Sequence, residues 1–307
     1  MIALDVHTHL APVQPGGLAD LPGVQWLPDD GVLVVDGHRL GLPDLYHPER
    51  LVAWLDANAI ARALVSIPPP LYRQHLDASQ ALAWGRYLNE ALGAIAGRHS
   101  TRLQALRHLP LEHPRLLETL MNQPGDFAGV ALAAGGHPDI QYDRPEYDAL
   151  WQRLNDRGSF VFVHPGTCAD HRMSRHYMEN LVGNPYETGL AATHLVMAGV
   201  PARFPGIRFC LAHAGGAFAS LCGRLEHGFK TRRPGLDTEV ERPLQAARRL
   251  QVDCIAHHPD LLRLAQSIFG PERVVFGSDW PFPMGLRDEA AQANAQLRAT
   301  QTTESAH

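Results

Sequence analysis

Short apolar segments rich in β-branched residues alternate along the whole chain with longer segments whose apolar residues recur every three or four positions. The short segments predict strands that are buried on both faces, and the longer ones predict amphipathic helices. Such alternation is typical of a parallel sheet covered by helices. Eight strands are predicted, at residues 2–6, 62–67, 102–107, 127–132, 159–163, 206–212, 250–255 and 272–277.

The predicted helices between these strands include residues 49–59, 78–97, 145–157 and 259–268. Eight strands with helices between them fit a closed (β/α)₈ barrel, the TIM-barrel class of α/β fold, better than an open doubly wound sheet. We therefore expect residues 1–307 to form one barrel domain.

An insertion rich in Gly, Pro and Asp follows the first strand, at residues 11–47. Within it, VLVVDGHRL predicts a β-hairpin with Asp36 and Gly37 at its turn. We expect this segment to be a small cap beside the mouth of the barrel. The last residues, 295–307, are polar and are expected to fray.

The composition provides for a large core, because 45% of the 307 residues are hydrophobic and 19% are charged. A net charge of −5, with no long run of Lys or Arg, predicts no nucleic-acid partner and no anionic membrane partner. No apolar run approaches the roughly 20 residues of a membrane helix, and MIALDVHTHL lacks the features of a signal peptide. We therefore expect a cytoplasmic protein whose four cysteines are reduced.

Four of the predicted strands carry His or Asp at their carboxyl ends, where a barrel of this kind has its active site. His7 and His9 follow the first strand, His164 the fifth, His213 the sixth and Asp279 the eighth. A single histidine is more often a packed or surface residue, but four such strand ends in barrel order favour a metal site.

The spacing of His7 and His9 places both imidazoles on the same side of an extended segment, so that they can share one ion. Together with His164 and Asp279 they form a set of three nitrogens and one oxygen. This set suits Zn²⁺, and Mn²⁺, Co²⁺ or Fe²⁺ also fit it. The sequence therefore predicts one divalent metal ion.

His213 lies at the strand end next to His164 and has two alternative roles. A neutral imidazole at this position can serve as a general acid or base beside the metal. It can instead be a further metal ligand. The sequence leaves both roles open.

Five motifs give the chain a family resemblance. They are DVHTHLAP (5–12), FVHPG (162–166), FPGIRFCLAHAGGAF (204–218), GRLEHGF (223–229) and FGSDWPFPMG (276–285). In these motifs the chain resembles the amidohydrolase superfamily, and within it the branch of aminocarboxymuconate-semialdehyde decarboxylase. The resemblance spans nearly the whole chain in the family's order.

The resemblance implies Zn²⁺ on the four predicted ligands and His213 as the catalytic acid or base. It also implies that Arg224 reaches the active site of a neighbouring subunit and binds a substrate carboxylate, which predicts a homodimer. Arg39, in the insertion, is a candidate for a second arginine that binds the substrate. The fork of the guanidinium suits carboxylates, although either arginine can also belong to a surface ion pair.

The lysine content distinguishes this branch from the binuclear amidohydrolases, which bridge two metal ions with a carboxylated lysine at the end of the fourth strand. The predicted fourth strand continues into Ala133 and Ala134, and the sole lysine, Lys230, lies after the sixth strand. A lysine-bridged pair of metal ions is therefore excluded.

The sequence leads to three functional hypotheses. The first is a non-oxidative decarboxylase of a small unsaturated or aromatic carboxylic acid, in which His213 or Asp279 transfers a proton at carbon. The second is a hydrolase or hydratase that uses the same metal to attack an amide, a lactone, a C–C bond or an alkene. It is favoured by Gly166 and Asn180, which stand where the named branch carries tryptophans. A non-catalytic metal-binding protein is disfavoured, because no predicted ligand is missing.

Overall fold

The computed structural model describes residues 1–286 together with Ala293, Asn294 and Leu297. The expected fraying of residues 295–307 lies, Leu297 apart, outside the described residues. The chain divides into two compact units. The first comprises Met1–Ala131 and the segment that begins at Gly277, and the second comprises Leu132–Phe276.

The strands of the described part of the chain form two sheets. They are β1 (Asp5–His9), β2 (Val24–Leu27), β3 (Val32–Val35), β4 (His38–Arg39), β5 (Ala63–Ser66), β6 (Leu103–His108), β7 (Gly129–Ala133), β8 (Phe160–His164), β9 (Arg208–Leu211), β10 (Gln251–Asp253) and β11 (Val274–Val275). The larger sheet has eight strands in the order β1-β5-β6-β7-β8-β9-β10-β11. Its strands pair in parallel.

All eight strands predicted from the sequence are present in the larger sheet, and helices connect them. The fold is the predicted (β/α)₈ barrel. The segment after β11 pairs with β1: Asp279 N–H donates to the carbonyl of His7 at 2.8 Å, and His9 N–H donates to that of Trp280 at 2.8 Å. Thr8 and Trp280 form a parallel bridge.

The four predicted helical segments, at 49–59, 78–97, 145–157 and 259–268, each overlap an α-helix, and the described residues form further α-helices as well. In chain order, the α-helices are α1 (Pro15–Leu18), α2 (Pro48–Ala57), α3 (Ala78–Arg98), α4 (Leu117–Met121), α5 (Asp148–Asp156), α6 (Asn184–Met197), α7 (Val200–Arg203), α8 (Phe218–Lys230), α9 (Pro243–Ala247) and α10 (Pro259–Phe269). The longest helix, α3, begins at a capping residue: the Asp77 carboxylate accepts hydrogen bonds from the backbone N–H groups of Ser79 and Gln80.

The bounds of all eight strands differ from the prediction, and those of the first and last strands differ most. The first strand was expected at residues 2–6 but runs from Asp5 to His9, so both histidines lie inside β1. The apolar pattern missed its second half because side chains that face a polar site are not apolar. The last strand, expected at 272–277, is limited to Val274 and Val275 of β11.

The segment at 11–47 contains the smaller sheet, in which β2, β3 and β4 are antiparallel. The hairpin between β3 and β4 turns at Asp36 (φ 49°) and Gly37 (φ 82°), the left-handed pair that a two-residue hairpin turn requires. The guanidinium of Arg73 donates to both carboxylate oxygens of Asp36, at 2.8 and 2.6 Å. The hairpin is thereby linked to the chain that follows β5.

The helices of the described residues include none that is both long and apolar enough to cross a membrane.

Candidate metal centre

Three side chains of the first unit bring their metal-binding atoms together. His7 Nε2 lies 3.1 Å from His9 Nε2. Asp279 Oδ1 lies 3.2 Å from His7 Nε2 and 3.3 Å from His9 Nε2. Both histidines are fully buried.

This spacing matches that of ligands around a small divalent ion. Ligand atoms at roughly 2.0–2.1 Å from a tetrahedral centre are separated from one another by about 3.3–3.4 Å. The three observed distances, between 3.1 and 3.3 Å, are close to that value. Two imidazole nitrogens and a carboxylate oxygen also have the chemistry that such ions prefer.

The orientation of His9 is fixed by the next strand. Its Nδ1 lies 3.1 Å from the carbonyl oxygen of Ile67 and 3.1 Å from Ser66 Oγ. A carbonyl oxygen only accepts, so Nδ1 carries the proton and donates to Ile67, which leaves the lone pair on Nε2. Burial lowers the pKa of His9, which keeps the ring neutral, the form that binds metal.

Asp5 holds the two chain segments of this group in register. Its Oδ1 accepts the backbone N–H groups of His7 and Ser278, both at 3.0 Å. Burial raises the pKa of Asp5 to about 7. Asp5 was not among the predicted site residues, although its position two residues before His7 was a usable signal.

His164 and His213 lie in the second unit. His164 is the last residue of β8, and its ring centroid is 5.2 Å from that of His213, which follows β9. The Asp253 carboxylate accepts the backbone N–H groups of His213 at 2.9 Å and Ala214 at 2.8 Å. Asp253, the last residue of β10, therefore shapes the turn that carries His213, and it was not among the predicted site residues.

Both predicted substrate-binding arginines lie at the surface. Arg39 is in β4 and forms an ion pair with Asp30 at 2.9 Å. Arg224 is exposed on α8, and no described residue is its hydrogen-bond or ion-pair partner. The structure thus brings neither arginine into contact with the candidate metal ligands of the described chain.

A sequence model of a family described as amidohydrolase matches residues 4–306. The chain belongs to the amidohydrolase family. This amidohydrolase is 26% identical over 298 residues to 2-amino-3-carboxymuconate-6-semialdehyde decarboxylase of Dictyostelium discoideum, which covers 92% of this chain and 83% of the relative. It is 31% identical over 234 residues to 6-methylsalicylic acid decarboxylase of Penicillium expansum, which covers 72% of this chain and 71% of the relative.

Solved structures confirm the barrel fold of this amidohydrolase. It superimposes on 5-carboxyvanillate decarboxylase from Sphingomonas paucimobilis with a TM-score of 0.74 and 22% identity, over 95% of this chain and 92% of that one. For dihydroxybenzoic acid decarboxylase from a Polaromonas species the TM-score is 0.72 at 18% identity, over 97% of this chain and 94% of that one. That structure holds manganese and the inhibitor 2-nitroresorcinol.

Proposed function

We propose that this amidohydrolase is a metal-dependent, non-oxidative decarboxylase of a small unsaturated or aromatic carboxylic acid. The convergence of His7, His9 and Asp279 at separations of 3.1 to 3.3 Å carries the proposal. Buried donor atoms this close to one another are stabilised when a cation lies between them.

We assign one divalent ion to His7, His9, His164 and Asp279. Supporting this assignment, His7, His9 and Asp279 converge within the first unit. Within the second unit the ring of His164 lies beside that of His213, with centroids 5.2 Å apart, and the alternative role of His213 as a ligand stays open. The donor set suits Zn²⁺, and the manganese of the Polaromonas relative makes Mn²⁺ the second candidate.

The bound ion would orient the substrate carboxylate and stabilise negative charge. We assign proton delivery to His213, with Asp279 as the second candidate. The proton goes to the carbon that bears the carboxylate, the bond from this carbon to the carboxylate breaks, and CO₂ leaves. The strained backbone of His213, held by Asp253, fixes the imidazole in place for this transfer.

Arg224 is assigned to the substrate carboxylate of a second subunit in a homodimer. Its exposure on α8 and its lack of a partner among the described residues support a role outside its own subunit. Arg39 is a candidate for the same task, for which its ion pair with Asp30 would have to open.

The relatives support a carboxy-lyase over a hydrolase, because those named above are all decarboxylases. The hydrolase or hydratase that uses the same site remains the alternative. The two functions differ in one product, CO₂.

The test measures CO₂ release by enzyme loaded separately with Zn²⁺ or Mn²⁺, over a panel of dienoic, amino-aromatic and hydroxybenzoic acids. We expect release that depends on the metal. His213→Ala should lower kcat by roughly 10²–10⁴-fold while metal content and melting temperature stay unchanged. The control is His99→Ala, since His99 follows α3 and precedes β6, at the opposite end of that strand from the candidate site.

Loss of bound metal in His213→Ala would make His213 a ligand. No CO₂ from folded, fully metallated protein would contradict the decarboxylase and favour the hydrolase.

A further inference from the structure

Two aromatic side chains of the first unit combine deep burial with polar atoms that no described residue satisfies. Tyr72 is 2% exposed and His108 is 3% exposed. Neither the Tyr72 hydroxyl nor His108 Nδ1 has a hydrogen-bond partner among the described residues. The two rings are stacked, with centroids 5.5 Å apart and planes at 11°.

The register of the sheet places His108 on the barrel interior. His9 pairs with Ser66, and Val65 pairs with Ala105, so Ser66 lies opposite residue 106. Side chains alternate along a strand, and His108 therefore projects to the same side as Ser66, whose hydroxyl contacts His9.

Arg107 lies between Leu106 and His108 in β6, and its direction confirms this alternation. Arg107 projects outward, where its guanidinium donates to the carbonyl oxygens of Leu120 and Gln123. His108 is the last residue of β6, and Tyr72 follows β5. Both therefore lie at or beyond the carboxyl ends of β5 and β6, the two strands that follow β1 in the sheet, and this is the end at which barrel enzymes bind their substrates.

The positions of both rings are fixed by hydrogen bonds to nearby backbone groups and not by hydrogen bonds of the ring nitrogen or the hydroxyl. The Asn89 side chain accepts from His108 N–H at 2.8 Å and donates to the His108 carbonyl at 3.1 Å. Trp84 Nε1 donates to the carbonyl of Leu71, the residue before Tyr72, at 2.7 Å. Phenylalanine at either position would supply the same packing without a buried polar atom, so packing alone does not explain these two side chains.

The pair is electrically neutral. Burial lowers the pKa of His108 to about 4 and raises the pKa of Tyr72 above its ordinary value. A phenol that keeps its proton donates, and Nδ1 of a neutral imidazole accepts or donates according to the tautomer. One neutral hydroxyl group satisfies both atoms in either tautomer, because it accepts from Tyr72 and either donates to His108 or accepts from it. A carboxylate fits only the tautomer that carries its proton on Nδ1.

We infer that Tyr72 and His108 form a subsite that binds a neutral hydroxyl substituent of the substrate. The inference rests on the proposed function and narrows its substrate to a hydroxylated carboxylic acid. Tyr72 and His108 are thereby specificity-determining residues.

The test compares ligands that differ by one hydroxyl group. Dissociation constants are measured by calorimetry on the metal-loaded enzyme for benzoate and for the three monohydroxybenzoates. In the wild-type protein we expect at least one monohydroxybenzoate to bind about tenfold more tightly than benzoate, the effect of about one hydrogen bond. Tyr72→Phe and His108→Phe should each abolish this preference and change benzoate binding less than twofold.

Unfolding in urea provides a second readout. Tyr72→Phe should leave the midpoint unchanged or raise it, because its hydroxyl has no partner to lose. The matched control is Tyr142→Phe: Tyr142 is fully buried and its hydroxyl donates to the carbonyl of Ala133 at 2.8 Å, so this variant should be destabilised.

The inferred subsite is contradicted if both variants keep the binding preference for the hydroxylated ligand. It is contradicted as well if Tyr72→Phe is as destabilised as Tyr142→Phe, because the Tyr72 hydroxyl would then bind a structural water only. It is also overturned if the wild-type protein shows no preference. CO₂ release without such a preference would leave the decarboxylase in place, and a preference without CO₂ release would contradict the decarboxylase alone.

Discussion

Left-handed backbone at residues other than glycine occurs at the candidate catalytic residues. His213 has a φ of 54° and Asp279 one of 57°. Such conformations cost of order 1–3 kcal/mol each and persist only where the surroundings determine them. The Asp253 carboxylate fixes the first, and the hydrogen bond from Asp279 N–H to the His7 carbonyl fixes the second. These hydrogen bonds thus hold the two side chains in place at a cost in local backbone stability.

His108 should make the stability of the protein depend on pH. Its folded-state pKa is about 4 against an ordinary 6.5, so the unfolded chain binds a proton that the folded protein excludes. The resulting stability is complete above pH 6.5 and is lost as the pH falls towards 4. Between about pH 7 and about pH 5, the wild-type protein should lose roughly 2 kcal/mol more unfolding free energy than His108→Phe.

Urea unfolding of both proteins in the same buffers measures this difference. Parallel pH profiles for the two proteins would show that His108 keeps its ordinary pKa in the folded state.

The turn between β9 and α8 connects a strand end to the helix that carries Arg224, and it depends on glycine. A Cβ at Gly216 (φ 58°) would lie 2.3 Å from the carbonyl oxygen of Pro185 in α6. The backbones of this turn and of α6 are in close contact there, since Ala217 N–H donates to that same oxygen at 2.9 Å. The glycines of the HAGG motif thus permit both the turn and the close approach of α6.

Gly216→Ala should therefore be more destabilising than an equivalent substitution at an open left-handed glycine. Gly235 (φ 84°) is the matched control, because a Cβ there would meet no atom within 4 Å. Gly235→Ala should cost about 1 kcal/mol for backbone conformation alone. Gly216→Ala should cost about 1–3 kcal/mol more, because α6 must move. The urea midpoints of the two variants measure this difference. Equal losses of unfolding free energy in both variants would contradict the steric argument.

The proposed role of Arg224 depends on the assembly of two subunits into a homodimer. If Arg224 serves the active site of the other subunit, Arg224→Ala and His213→Ala damage different components of each composite site. A heterodimer of the two variants then contains one intact site. Random exchange of equal amounts should restore about a quarter of wild-type activity, since half of the dimers are mixed and each has one good site of two.

CO₂ release after co-refolding the two variants measures this restoration, with each variant refolded alone as the control. Activity no greater than the average of the two controls would place Arg224 outside the active site or within its own subunit.

Local patterns determined much of this protein. Periodicity of apolar residues within a few positions of one another predicted all eight barrel strands and α3, because the apolar residues of each element form the surface that it buries. The position of His7, His9, His164, His213 and Asp279 at predicted strand ends is likewise a local pattern, and on it rests the prediction of a metal site.

Contacts between distant segments were decided only by the tertiary structure. Asp5 and Ser278 are 273 residues apart, and the stacking of Tyr72 on His108 joins segments that follow different strands. Neither pair has a local signature, because burial of a polar side chain and the identity of its partner depend on which segments the fold brings together. The sequence therefore predicted which residues can bind a metal, and the packed chain determined which groups orient them and which polar atoms remain available to a ligand.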